Sequence, residues 1–208
     1  MNKYSLGGPQ TRYQPGSDNR VLLNKLGITD PEEIDEAELL LLRQLYDRVL
    51  NQQLPEGMIT TGHLKTWHRQ WLLPIFDWAG EERSVNLGKN GFQFAAATQI
   101  PNLLRLLDKN YLSKLTPCHN LSDDELIKAI AIVHVEFILV HPFREGNGRL
   151  ARLLADVMAV QAGYGTLDYS SWDNNREAYF AAIRQGLDCN YQPMMEWIER
   201  AFNDSGDV

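Results

Sequence analysis

Several residues in one short stretch have the side chains and the spacing of a phosphate-handling site. The stretch reads HPFREGNGRLARLL, and its polar residues are more than a packing element needs. They are His141, Glu145, Gly146, Asn147, Gly148, Arg149 and Arg152. The N-terminus of a helix offers unpaired N–H groups and a positive dipole end, and glycines let a phosphate approach that backbone. The stretch therefore predicts an anion site where a loop enters a helix.

The charged residues of the stretch suggest how a polyphosphate is handled there. Arg149 and Arg152 lie on adjacent turns of the same helix, so that two guanidinium groups can reach successive phosphates. Glu145 is a hard oxygen ligand suited to Mg²⁺ that bridges phosphate oxygens, and Asn147 can hold an oxygen without repelling it. Together these residues predict a triphosphate site.

His141 is the predicted general base for a hydroxyl that attacks phosphorus, provided that its imidazole is neutral. The helix C-terminus before it favours the charged form, whereas burial favours the neutral form. The direction in which its pKa is shifted therefore stays open from the sequence.

The segments on both sides of this loop predict buried helices. Ser122 and Glu125 form a capping box, and nearly every residue from Leu126 to Val140 is apolar. Such a segment is typical of a central helix surrounded by others. After the loop, apolar residues follow one helical face as far as Gly163. The motif is thus predicted to join two helices of the core.

One segment predicts a β-hairpin. In RSVNLGKNGFQFA, residues 83–95, the dipeptide Asn90-Gly91 tolerates the positive backbone angles of a tight turn. The flanks Val85–Leu87 and Phe92–Phe94 alternate apolar with polar residues. Because an isolated hairpin is marginally stable in water, it must rest on the helices. We therefore predict an all-α fold class, with helices around a central buried helix and a small β-hairpin flap.

Composition limits the partners. A hydrophobic fraction of 44% in 208 residues is enough for the core of one domain. The net charge of −7 disfavours binding along a nucleic acid backbone, and no apolar segment is long enough to cross a membrane.

We expect an extended N-terminal arm over residues 1–25, one domain over 26–203 and a flexible tail over 204–208.

The cysteines and the N-terminus predict a cytoplasmic location. Cys118 and Cys189 lie far apart without metal-binding or redox spacing, and no cleavable N-terminal segment is recognised. We therefore expect a cytoplasmic chain with reduced thiols. Delivery into another cell is not readable from the sequence.

The motif HPFREGNGRLAR resembles the complete signature of the Fic family (filamentation induced by cAMP). The segment FDWAGEERSVNLGKNGFQFA is similar to the family's hairpin region, and NREAYFAAIRQGLDCNYQPMMEW to its closing helices. The likeness spans roughly residues 20–202. It implies a Fic-type helical core with a hairpin flap. It also implies transfer of AMP from ATP to a Ser, Thr or Tyr hydroxyl of a target protein, with release of pyrophosphate.

The resemblance also implies a role for each motif residue. His141 would be the base, Glu145 the Mg²⁺ ligand and Phe143 the anchor of the loop in the core. The residues that bind the phosphates of ATP would be Gly146, Asn147, Gly148, Arg149 and Arg152. The flap that aligns an extended target segment by main-chain pairing would consist of Lys89, Asn90, Gly91 and Phe92.

Several alternatives stay open. In the kinase-like Doc branch of the family the second glycine is a lysine, so that Gly148 argues against that branch. Other members transfer other phosphate-containing groups, and no residue of the loop is suited to recognise the nucleobase of the substrate. Tyr179 and Asn174 could contribute to a nucleobase pocket, but an aromatic side chain at such a helical position is more often packed in the core. The same holds for His68. A catalytically silent module that binds a nucleotide or a protein is the second hypothesis.

The last expectation concerns inhibition. Many Fic proteins carry, in an added helix or on a small antitoxin, a glutamate that occupies the second arginine of the motif. In that pattern a Ser or Thr precedes the Glu by four residues, and a Gly or Asn follows it. Thr29 and Glu33 have this spacing, but Ile34 follows, and Asp30-Pro31 explains the segment as a helix start. We expect a small antitoxin-like inhibitor in trans, with Arg152 free in the isolated chain. Internal restraint through Glu33 is the alternative.

Overall fold

Helices make up most of the chain in a computed structural model, which describes residues 8–89 and 91–204. The α-helices in these ranges are α1 (Pro31–Asp47), α2 (Thr61–Leu72), α3 (Ile100–Leu107), α4 (Ser113–Leu115), α5 (Asp123–Val140), α6 (Asn147–Gln161), α7 (Ser170–Asn174), α8 (Arg176–Gln185) and α9 (Gln192–Asp204). The strands are β1 (Gly88–Lys89) and β2 (Phe92–Gln93). The predicted all-α fold with a small hairpin is confirmed. None of the helices in the described ranges is both long and apolar enough to cross a membrane.

Helix α5 is the central element of the core, as its apolar sequence predicts. Its start carries the predicted capping box, in which the Ser122 backbone N–H donates to the Glu125 carboxylate at 2.9 Å. The helix packs against α6 and α9, and α3 and α8 also contact it. Because most of its side chains are buried, α5 gives the motif loop that follows it a rigid base.

Helices α1 and α2 pack against each other, and α2 also contacts α6. Helix α1 begins as its sequence predicts, because the Asp30 side chain accepts a 2.9 Å hydrogen bond from the Glu32 N–H and Pro31 occupies the first position. Helix α2 contributes the fully buried Trp71 to the core. The pair thus lies beside the helix that starts at the motif loop.

The N-terminal arm packs on the helices over the part that is described. It contains a short 3₁₀ turn, Pro9–Thr11, and an isolated bridge between Tyr13 and Leu22. Val21 is buried, and Gln10 lies in the interior with 4% of its surface exposed. The division of the chain at residues 25 and 203 stays a prediction. Of the expected tail, residues 205–208 lie outside the described part.

The hairpin is shorter than its sequence predicts. Lys89 pairs with Phe92 and Gly88 with Gln93 in an antiparallel register. Gly91 has the positive φ of 78° that the predicted turn requires, while Asn90 lies outside the described residues. Residues 85–87, predicted as strand, lie outside the paired strands, although the Leu87 carbonyl still accepts a 3.1 Å hydrogen bond from the Phe94 N–H. The Asn86 side chain accepts a 2.8 Å hydrogen bond from the backbone of Ala97.

Candidate active site

The motif loop joins α5 to α6 through two residues with positive φ. His141, with a φ of 50°, ends α5, and Gly146, with a φ of 80°, precedes the first residue of α6. A Cβ atom on Gly146 would lie 2.7 Å from the ring of Trp71. By contrast, a Cβ on Gly148 would meet no atom within 4 Å outside its own helix. The loop is therefore packed tightly at its base and open at the first turn of α6, where a phosphate could approach.

Two buried side chains hold the loop from below. Asn147 closes the loop on itself, since its Oδ1 accepts from the Phe143 N–H at 2.9 Å and its Nδ2 donates to the Phe143 carbonyl at 2.8 Å. The Phe143 ring is fully buried and stacks on His68 at a centroid distance of 4.0 Å. Asn147 also lines the cleft described below. The predicted phosphate contact would use the second N–H of its Nδ2, because the first donates to Phe143.

His68 is a packed aromatic, as the sequence suggests, and it also holds the loop backbone. Its Nδ1 accepts from the Gly80 N–H at 2.8 Å, which leaves the proton on Nε2. Nε2 therefore donates to the Glu145 carbonyl at 3.1 Å. Burial lowers the pKa of His68 to about 4, so that the ring is neutral at neutral pH.

The ring of His141 is neutral as well, and burial decides the question that the sequence leaves open. Burial lowers its pKa to about 4, and the nearby charges of Arg83 and Lys89 act in the same direction. The ring stacks on Phe94 of the flap at a centroid distance of 3.7 Å. Its Nδ1 lies 3.3 Å from the Ile138 carbonyl, which can only accept. The proton is thus assigned to Nδ1, and Nε2 carries the free lone pair.

Arg83, for which the sequence predicts no role, joins the hairpin to the motif loop. It is 2% exposed, and its guanidinium donates to the carbonyls of Val85 at 2.6 Å, Ala95 at 2.5 Å and Val140 at 3.3 Å. Its Nε donates to the carbonyl of His141 at 2.6 Å. One side chain therefore fixes both ends of the hairpin segment relative to His141.

Arg149 is held between α1 and α2. Its Nη2 lies 2.5 Å from a carboxylate oxygen of Glu38, and its guanidinium lies 4.7 Å from the ring centroid of Trp71. The Glu38 side chain is 4% exposed. Burial raises the pKa of Glu38, and the charge of Arg149 opposes that shift. Glu38 was not predicted as a site residue, because its partner lies 111 positions away in the sequence.

Arg152 has a partner of its own, which corrects the expectation that it is free in the isolated chain. Its Nη1 and Nη2 donate to both carboxylate oxygens of Asp173 at 3.1 and 2.7 Å. The guanidinium lies 5.1 Å from the ring centroid of Tyr169 and 5.9 Å from that of Trp172. Its side-chain bonds to a carboxylate go to Asp173 and not to Glu33, which is exposed in the first turn of α1.

Glu145 is the acidic residue of the loop. Its side chain is 47% exposed, its Oε1 accepts from the Gly146 N–H at 2.9 Å, and the same oxygen lies 3.6 Å from Arg149 Nη2. Within the described ranges, no group of three or more acidic, histidine or cysteine side chains could hold a metal ion. One exposed carboxylate suits Mg²⁺, which usually takes one or two protein carboxylates together with substrate phosphates.

These residues surround one cleft of about 720 Å³. From the loop and α6 it is lined by His141, Arg144, Glu145, Gly146, Asn147, Gly148, Arg149 and Arg152. From the hairpin segment it is lined by Leu87, Gly88, Lys89 and Phe94, whereas Gly91 and Phe92 do not line it. The structure thus brings together all the loop residues that the sequence singles out, apart from the core anchor Phe143.

Tyr179 lies at the back of this cleft, while Asn174 does not line it. The Tyr179 ring is 8% exposed and stacks on Trp172 at a centroid distance of 5.0 Å. Its hydroxyl lies 2.7 Å from His134 Nε2. Tyr179 is therefore mainly a core residue, with one edge available to a ligand.

Comparison with known proteins gives the same assignment as the motif. The Fic/DOC family matches residues 58–159. The "Probable protein adenylyltransferase y4lH" of Sinorhizobium fredii is 29% identical over 186 residues, which cover 89% of this chain and 92% of that protein. The "Probable protein adenylyltransferase Fic" of Escherichia coli is 28% identical over 203 residues, which cover 93% of this chain and 92% of that protein.

A solved structure extends the likeness to the whole fold. The crystal structure of BepC, a VirB-translocated effector protein from Bartonella tribocorum with bound AMPPNP, superposes with a TM-score of 0.73. It is 25% identical and covers 92% of this chain and 96% of its own. With an uninterrupted motif, a helical core and a hairpin over the cleft, this chain belongs to the Fic/DOC family.

Proposed function

We propose that this chain transfers AMP from ATP to a hydroxyl of a target protein and releases pyrophosphate. Relatives that align over nearly their full length are named protein adenylyltransferases, and the BepC structure holds an ATP analogue. The observation that carries the proposal is the single cleft in which a neutral His141 faces the open first turn of α6 and two arginines. A base, an anion site and cations for a polyphosphate are what this reaction needs.

The proposed reaction is a displacement at the α-phosphorus. Nε2 of His141 accepts the proton of the target hydroxyl, and the hydroxyl oxygen forms a bond to the α-phosphorus. The bond between that phosphorus and the oxygen that bridges to the β-phosphate breaks, so that pyrophosphate leaves with the electron pair. The N–H groups at the start of α6, beside Gly148, stabilise the charge on the α-phosphate oxygens.

The two arginines would bind the leaving phosphates. Arg149 is oriented by Glu38 and Trp71, and its side chain is 33% exposed. Arg152 must share its guanidinium between Asp173 and the γ-phosphate or give up the carboxylate. Both arginines thus have carboxylate partners before ATP binds. The phosphates must compete with these carboxylates for the guanidinium N–H groups.

Mg²⁺ is part of this proposal, with Glu145 as the residue that would hold it. The ion would supply positive charge between phosphate oxygens, as is general for phosphoryl chemistry. The exposed carboxylate of Glu145 lies at the edge of the cleft, next to the first turn of α6.

The variant Glu145→Gln should bind Mg²⁺-free ATP as wild type does in a calorimetric titration. Added Mg²⁺ should raise the affinity for ATP in wild type but not in this variant.

The predicted inhibitor in trans and the cytoplasmic location also remain proposals. An inhibitory carboxylate aimed at Arg152 would have to displace Asp173, whose side chain is 49% exposed and therefore accessible.

Docking of the target protein on the hairpin flap is also part of the proposal. Lys89 and Phe94 of the hairpin segment border the cleft on the side of His141, where the target hydroxyl must arrive.

Labelled ATP tests the proposed reaction. The purified chain is incubated with a cell lysate and Mg²⁺, in parallel with ATP labelled on the α-phosphate and ATP labelled on the γ-phosphate. Relative to the lysate alone, we expect the chain to increase the α-label on lysate proteins and to leave the γ-label unchanged. An increase in the γ-label would indicate phosphoryl transfer by the chain, and nucleotide binding without an increase in either label would indicate a silent module.

A further inference from the structure

Arg144 is a charged residue of the motif loop that the proposed reaction does not use. It lines the cleft, whereas the ring of the preceding Phe143 is buried in the core. Arg144 is half-buried, and its Nε donates to the backbone carbonyl of Gln10 at 2.8 Å. The guanidinium is thus anchored at one atom, beside the residues that surround the reacting groups.

Gln10 belongs to the N-terminal arm, and its side chain joins this arm to the start of the hairpin segment. Its Nε2 donates to the Glu82 carbonyl at 3.1 Å, and its Oε1 accepts from the Ser84 N–H at 2.8 Å. Because Gln10 is buried, water competes little with these bonds. The carbonyl of Gln10 therefore holds Arg144 in a fixed position relative to both the hairpin and the motif loop.

The Nη groups of Arg144 have no partner within residues 8–89 and 91–204. The side chain of Arg144 makes one hydrogen bond there, through Nε, and no carboxylate lies within ion-pair distance of it. Arg149 and Arg152, by contrast, are each paired with a carboxylate. A guanidinium carries its N–H donors in one fixed plane, so that the N–H groups on both Nη atoms of Arg144 remain for a ligand.

The target segment is the reactant that accounts for these donors. The proposed reaction places the phosphates of ATP at the first turn of α6, whereas Arg144 is anchored on the side of the arm and the hairpin. Strand β1 contributes Gly88 and Lys89 to the cleft, and β2 is its one partner strand in the described ranges. An extended segment can therefore add to β1 and pass Arg144 on its way to His141.

The acceptors that an extended segment offers at every position are its main-chain carbonyls. This part of the chain already uses guanidinium groups to bind such acceptors. Arg83 donates to the carbonyls of Val85 and Ala95, and Arg144 itself donates to the carbonyl of Gln10. Main-chain carbonyls therefore suit the Nη groups of Arg144.

Resting on the proposed function, we propose that Arg144 binds main-chain carbonyls of the target segment next to the hydroxyl that is modified, and that Gln10 holds Arg144 in place for this contact. The two Nη groups donate to the segment while Nε stays bonded to Gln10. Arg144 thus orients the hydroxyl towards Nε2 of His141 without selecting among the side chains of the target.

Peptide binding tests this proposal without depending on catalysis. Fluorescent peptides with a central tyrosine are divided into three libraries, whose flanks are enriched in Glu, in Gln or in Lys. Their binding to the full chain is measured by anisotropy at physiological ionic strength, with an ATP analogue at saturation. Arg144→Gln should bind all three libraries about tenfold more weakly than wild type, because each peptide loses the same carbonyl contacts. Arg20→Gln, on the exposed surface of the arm, should bind them as wild type does.

The variant Gln10→Leu tests the role of the arm. Leucine has a similar size but cannot bond Glu82 or Ser84. Binding of all three libraries should fall by about threefold, since Arg144 keeps its Nη groups but loses its fixed orientation. The affinity for the ATP analogue should stay within about twofold of wild type in both variants, which a general loss of structure would not allow.

Several results would overturn the proposal. A loss confined to the Glu library would show that Arg144 binds a carboxylate instead of main-chain carbonyls. Binding of no library by wild type, equal binding by wild type and Arg144→Gln, or a parallel loss of affinity for the ATP analogue would also overturn it. Unchanged binding by Gln10→Leu would contradict the role of the arm. Failure of AMP transfer is a separate result, read from the labelled ATP.

Discussion

The protonation of His141 follows from its surroundings. Phe94 covers one face of the ring, and burial leaves the imidazolium poorly solvated. The Ile138 carbonyl accepts from Nδ1, so that the free lone pair is on Nε2. A helix C-terminus alone would have raised the pKa, but here desolvation is the larger effect. The residue is thus ready to accept a proton at neutral pH without first losing one.

The pH dependence of transfer tests this state of His141. A base is active when deprotonated, so that a pKa lowered to about 4 moves the acid limb of the profile downward from the ordinary value of about 6.5. We expect kcat/KM to stay nearly constant from pH 8 to below pH 6 and to fall only near pH 4. An acid limb centred near 6.5 would contradict the assignment.

Asp173 should weaken ATP binding, because it uses the N–H groups that Arg152 needs for a phosphate. The Asp173 side chain is 49% exposed, so that the pair is worth about 1 kcal/mol or less. Asp173→Asn should therefore lower the KM for ATP by about fivefold or less and leave kcat unchanged. Steady-state kinetics decide the matter, with Asn174→Ala beside it as the control. A raised KM would mean that Asp173 orients Arg152.

At the scale of elements, the motif loop uses its two glycines for different purposes. Gly146 has a positive φ, and a Cβ there would clash with Trp71, whereas Gly148 faces open space. Gly146→Ala should therefore destabilise the fold by about 2–4 kcal/mol. Gly148→Ala should keep or slightly raise the melting temperature, since alanine favours a helix, but should weaken ATP binding by obstructing the phosphate. Similar effects of both variants on stability would refute this distinction.

The hairpin is positioned by a single buried side chain. Arg83→Lys keeps the charge but cannot reach the four carbonyls of Val85, Ala95, Val140 and His141. We expect transfer to fall by about tenfold or more while ATP affinity changes little, because alignment at His141 is lost before phosphate binding. Thermal unfolding accompanies the assay, and Arg43→Lys on exposed α1 is the control. An equal loss of ATP affinity would contradict the role.

At the scale of the whole molecule, the sequence predicts what local patterns encode. The capping box at Ser122, the apolar length of α5 and the GNG turn act within a few residues, so that α5, the loop and α6 are predictable. The packed role of His68 followed from its helical spacing in the same way. The loop residues also meet in one cleft because the motif is continuous in sequence.

Contacts between distant segments could not be predicted. Glu38 meets Arg149 from 111 positions away, and Asp173 meets Arg152 across a loop and a helix boundary. The hairpin is shorter than its alternating pattern because, beyond the backbone bond between Leu87 and Phe94, Arg83 and Asn86 occupy the carbonyls of Val85 and Ala95 and the N–H of Ala97. An alternating pattern records which faces are apolar, but not which backbone groups another residue will occupy.

The central claim is that His141 acts on the reacting hydroxyl and not on the fold or on nucleotide binding. The most direct test compares wild type with His141→Ala in two measurements on the same samples, uptake of the α-label by lysate proteins and calorimetric affinity for an ATP analogue. We expect uptake to vanish in the variant while the affinity stays within about threefold. Undiminished uptake, or a parallel loss of affinity, would contradict the account.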